Sequence, residues 1–77
     1  MRTRHLRGWS ATSTQGMVAA ATQSMIHDLK VRVVLKNKGT MVGKLFGCDS
    51  LIGRESVYFH GRNNPVLVKD IESITIL

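Results

Sequence analysis

Eleven Lys and Arg, five Asp and Glu, three His and one Cys are the groups with which this 77-residue chain could do chemistry. His5, His27, His60 and Cys48 are scattered, and no two share the short spacing of a metal site, so neither a metal nor another cofactor is expected. No hydroxyl or thiol sits in a pattern with a base that would activate it. Gly43, Gly47 and Gly53 lie on or just after an apolar run, not between a strand and a helix where a phosphate loop belongs. An enzyme is therefore not expected. What is left is binding chemistry. Arg62, Asn63 and Asn64 form a polar loop able to grip a backbone phosphate, or simply to turn the chain. Tyr58 and Phe59 point to opposite faces of any strand that holds them, so one belongs to a core and the other is free to stack on a base.

The formal net charge is +6, which favours polyanions, nucleic acid before anionic membrane. Residues 1–27 carry Arg2, Arg4 and Arg7 and no acid, whereas residues 28–77 hold eight basic and five acidic side chains, a net 8 − 5 = +3. Arg2, Arg4, Arg7 and Trp9 make a basic segment that could sweep up RNA, each neutralised phosphate releasing counterions. An acid-free, Arg- and Ser-rich start also resembles an organellar transit peptide. No apolar run reaches the ~18–20 residues of a membrane span, and the polar GWSATSTQG stands where a signal peptide would be apolar. One cysteine allows no internal disulfide. A reducing, cytoplasmic setting without membrane attachment is expected.

These residues need positioning, and the patterning supplies the elements. Residues 1–14 read as a flexible basic segment and residues 15–77 as the domain, with a helix over about 15–28 and a barrel over 29–77. Met17, Ala21 and Met25 recur at helical spacing. Met17 and Met25 are also read as alternative starts. Leu29, Val31, Val33 and Leu35 alternate with Lys30, Arg32, Val34 and Lys36 in the period of a strand, and Asn37-Lys38-Gly39 supplies a turn, with Gly39 expected at positive φ. The return strand runs Met41, Gly43, Leu45 and then, out of step, Cys48. A bulge or sharp bend at Gly47 absorbs the extra residue. Further strands are expected at 56–60, 66–68 and 73–77, with a tight helical turn over 69–72. The fold class is mainly β: a five-stranded, bent-sheet barrel of SH3-like size behind one short helix.

Met41, Gly43, Leu45, Cys48 and Asp49 fit the first motif of the Sm-like superfamily, and VLVKDIESITIL resembles the stretch of its bacterial Hfq branch in which a Tyr-Lys-His turn joins the last two strands. Lys69 matches that lysine, and Asp70 stands in place of the histidine. The asparagine that follows the first motif is missing from Ser50-Leu51-Ile52-Gly53, and the order of the second motif is scrambled in Gly61-Arg62-Asn63-Asn64. The resemblance covers about 26–77. It implies a homo-oligomeric ring of five to seven subunits, with the fourth strand of one copy on the fifth of the next. It also implies single-stranded, U-rich RNA as partner. Lys69 and Asp70 would face the pore, Lys69 bonding a uracil or phosphate, with Ser50 and Leu51 as a wall for a base. Asp49 would brace the binding loop by accepting backbone N–H groups. The competing reading is a protein-interaction or assembly module on the same scaffold, YolD-like or a phage accessory protein, without an RNA site. The two lost family residues favour it.

Overall fold

Ser13 starts the only helix among the described residues, 6–77 of the computed structural model. Its Oγ accepts a hydrogen bond from the Gly16 N–H at 3.0 Å, satisfying one of the free donors of the first turn. The helix α1 spans Thr14–Ile26. It ends on a double closure in which Leu29 N–H reaches the Ser24 carbonyl and Asp28 N–H the Met25 carbonyl, with Asp28 in the left-handed region at φ 56°, the arrangement in which a helix C-terminus satisfies its own carbonyls. Met17, Ala20, Ala21 and Ser24 form its buried stripe. Three of the four are small, which lets the helix lie close on the sheet beneath, against the strands Thr40–Asp49 and Ile71–Ile76.

The strands are β1 Ser10–Ala11, β2 Lys30–Leu35, β3 Thr40–Asp49, β4 Ser56–Phe59, β5 Val66–Leu67 and β6 Ile71–Ile76. A single 3-10 turn, Val68–Asp70, joins the last two. The strands form one antiparallel sheet in the order β1-β6-β2-β3-β4-β5. The fold is mainly β with one helix. The sheet has six strands, not five, and its two end strands do not pair, so it is bent but open. No helix of the described residues is long and apolar enough to cross a membrane.

The sixth strand comes from the segment expected to be flexible. Ser10 pairs with Thr75 and Ala11 with Ile74, Gly8 N–H bonds the Ile76 carbonyl, and Ile76 N–H bonds the Trp9 carbonyl at 2.8 Å. Ala11 is buried in the core. Arg7 and Trp9 are therefore attached to the sheet edge, while Arg2, Arg4 and His5 lie outside the described residues.

The inward sides of the strands supply the core: Val31 and Val33, Leu45, Val57 and Phe59, then Ile71, Ile74 and Ile76. The register between β3 and β4 shifts between Leu45 and Gly47, which is where the out-of-step Cys48 called for a bulge. The hairpin turn departs from expectation. Lys38, not Gly39, takes positive φ, at 73°. Gly39 serves closeness instead, its N–H donating to Asn37 Oδ1 at 2.9 Å, where an added Cβ would lie only 3.0 Å from that oxygen. A lysine held left-handed costs roughly 1–2 kcal/mol, part of which a glycine would return through unfolded-state entropy. Lys38→Gly is expected to raise stability by about 0.5 kcal/mol, seen as a thermal midpoint a few degrees higher.

Candidate nucleic-acid interface

With Leu45 and Phe59 paired and turned into the core, the alternate residues of β3 and β4 must face away from the helix. Val42, Lys44 and Phe46 do so from β3, and Tyr58 from β4. Gly47 lies opposite Tyr58, and a Cβ there would come within 3.4 Å of the Tyr58 ring. The phenol thus lies over bare backbone. Phe46, raised by the bulge, is 58% exposed. Its ring centroid lies 5.9 Å from that of Tyr58, tilted by 53°, and 6.3 Å from that of His60, edge to face at 89°. Of the pair expected to divide between core and surface, Phe59 is the core residue and Tyr58 the outer one.

Cations flank these rings. Lys30 stands directly opposite Lys44, and Arg32 opposite Val42. Like charges facing each other across a strand pair oppose folding. The only ion pair among the described residues relieves them in part, Lys44 Nζ meeting Asp28 Oδ2 at 3.1 Å. Both partners are exposed, so the pair adds little to stability.

Beyond Tyr58 the same face deepens into a groove of about 400 Å³ lined by Asp49, Arg54, Glu55, Ser56, Leu67 and Lys69 among others. Asp49 Oδ1 accepts the Leu51 N–H at 2.9 Å, the bracing of the 50–55 loop expected of it, and the loop then closes through Arg54 N–H on the Leu51 carbonyl. Glycine at 53, at φ 84°, lets the chain turn back there.

Not all expected site residues meet in one place. Lys69 shares the groove with Asp49. Asp70 instead lines a separate hollow with Leu35, Lys36, Asn37 and Val66, because successive residues of a 3-10 turn project about 120° apart. Ser50 lies in another hollow with Thr14, Gln15 and Val18 at the start of α1. Leu51 stands exposed on the loop. Arg62 and Asn63 reach a shallow hollow beside Phe46 and His60, while all three residues of the Arg62-Asn63-Asn64 loop border a further one with Met41 and Pro65. Phe46, Arg54 and His60 are the residues that sequence reasoning passed over. For Phe46 a signal existed: Val42, Lys44 and Phe46 recur with the strand's period on the side opposite Leu45.

No protein-family model matches the chain. No curated protein and no solved structure matches it significantly either. Its side chains alone carry the functional argument. Among the described residues no cluster of three or more His, Cys, Asp or Glu is placed to hold a metal. Burial, and secondarily the Asp49 carboxylate, pushes the Cys48 thiol up from its ordinary pKa, which leaves it a weak nucleophile at neutral pH.

Proposed function

We propose that this chain is a single-stranded RNA-binding protein of Sm-like build. The observation that carries the proposal is the meeting of Tyr58, Arg54 and Lys69 in one open groove above the braced 50–55 loop. An aromatic wall accepts the face of a base, and two cations at its rim suit the phosphates on either side. A uracil against Tyr58 would present its carbonyl oxygens to Lys69, which is why U-rich RNA is the proposed ligand.

The proposal includes assembly into a ring of five to seven copies. In it, β2 to β6 correspond to the five strands of the small barrel, and β5 of one copy adds to the edge of β6 in the next. The β5 edge favours this. β5 offers an unpaired outer side, and strands left so invite another chain. The edge of β6 is occupied by β1, so ring closure requires β1 to give way.

A specific feature favours the second reading, an assembly module without RNA. Asp49 and Glu55 share the groove with Arg54 and Lys69, making it formally neutral. The readings separate on titration of labelled oligo(U) and oligo(A) at about 50 and about 200 mM salt. RNA binding predicts affinity that falls with salt, a preference for oligo(U), and a loss of about tenfold in Lys69→Ala. A chain that ignores both oligomers at the lower salt is the assembly module.

A further inference from the structure

We infer that the open sheet face around Phe46 is a second RNA contact, a stacking track on which bases lie before and after the one held in the groove. It rests on the RNA-binding reading and gives that reading a path. Tyr58 belongs to both places, since its ring borders the groove and also touches Phe46. The track therefore continues the groove across the bend of β3 without a break.

Three observations favour RNA as the occupant. The first is the rings themselves. Phe46 and His60 are both exposed, and the single tilted and edge-to-face contacts between these rings leave a face uncovered for a planar ligand. The Phe46 centroid lies 5.9 Å from that of Tyr58 and 6.3 Å from that of His60, a separation that lets successive bases of an extended strand each meet a ring. The second is charge. Arg62 lines the hollow that holds Phe46 and His60, and Lys44 precedes Phe46 on the same face, with Lys30 and Arg32 beyond it on β2. A like-charged Lys30–Lys44 juxtaposition works against the fold, and a passing phosphate would relieve it. The third is shape. The face is shallow and lies on rigid strands, which suits a strand of bases better than it suits the interlocking side chains of a protein partner.

Stacking is tolerant of base identity, so the track should bind oligo(U) and oligo(A) alike, leaving preference to the groove. The test uses the full chain, with fluorescence anisotropy of labelled oligo(U) and of an abasic phosphodiester oligomer of the same length. Phe46→Ala and Phe46→Leu are each expected to lose roughly tenfold in affinity for oligo(U), Phe46→Trp to keep it, and all three to bind the abasic oligomer as the parent does, which also shows that they fold. Asp28→Asn, which frees Lys44, is expected to tighten both oligomers. If the Phe46 variants bind oligo(U) like the parent while Lys69→Ala does not, the track is overturned and the groove stands. If Phe46→Leu binds as well as the parent and only Phe46→Ala fails, the face is an apolar docking surface, and stacking is overturned. If the parent binds neither oligomer, track and groove fall together.

Discussion

Removal of residues 1–11 is expected to convert a chain with a covered sheet edge into one that self-associates. β1 is short, two residues in register with β6 plus the flanking bonds at Gly8 and Trp9. The hydroxyls of Ser10 and Thr75, 3.0 Å apart on the exposed side, add one further contact. Net hydrogen-bond contributions of about 0.5–1.5 kcal/mol each make such a strap light enough to exchange. Once it is gone, β6 presents an open edge beside Ile74 and Ile76, and β5 of another copy is the strand with a free side to fill it. Sedimentation velocity over a range of concentrations reads the outcome: the full chain small at low concentration, the shortened chain a closed ring. Ala11→Lys guards against loss of fold by truncation, because a charge at that buried position expels the strand from an otherwise complete chain. A folded, monomeric Ala11→Lys chain at high concentration would remove the ring from the proposal and leave RNA binding by single subunits.

Ile74→Ala should have the largest effect on stability. Ile74 is fully buried and lies between Ala11 of β1 and Val33 of β2, so its loss opens a cavity where two strand pairs and the helix meet. Truncations of this kind cost about 2–5 kcal/mol, a large share of the roughly 5–15 kcal/mol that holds a domain together. Thermal unfolding should fall by more than about 10 °C. Because Ile74 faces the core and not the outer sheet surface, oligo(U) affinity measured below the new midpoint should match the parent's. A change of less than 1 kcal/mol would mean that the sheet and helix are not packed as described.

Alternation made most of the sheet readable. Val31 and Val33 faced inward as the period of two required, and the displaced Cys48 foretold a bulge whose place, Leu45 to Gly47, only the pairing with β4 fixes. β1 was illegible for a physical reason: two residues have no period, and Ser10-Ala11 buries a single methyl group, so nothing in Met1 to Gln15 outweighs its polar composition. The left-handed turn residue was misplaced because the Asn37 side chain captures the Gly39 N–H and passes the positive φ back to Lys38. For the site, the bracing role of Asp49 was implied by the Sm-like resemblance alone. The nearness of Lys69 to Asp49 was likewise implied by the resemblance, and it comes from β5 returning beside β4. Asp70 and Ser50, expected beside Lys69, are carried elsewhere by the turn and by the start of α1. Phe46 was hidden by its own apolarity, which reads as core until the bulge lifts it out.

The most direct test of RNA binding in the groove and along the Phe46 face is backbone NMR of the isotope-labelled full chain during titration with oligo(U). Shifts are expected to concentrate at Lys44, Phe46, Tyr58, His60, Arg54 and Lys69, with the buried stripe of α1 unmoved. Shifts confined to α1 and the Ser50 hollow, or no shifts at low salt, would contradict it.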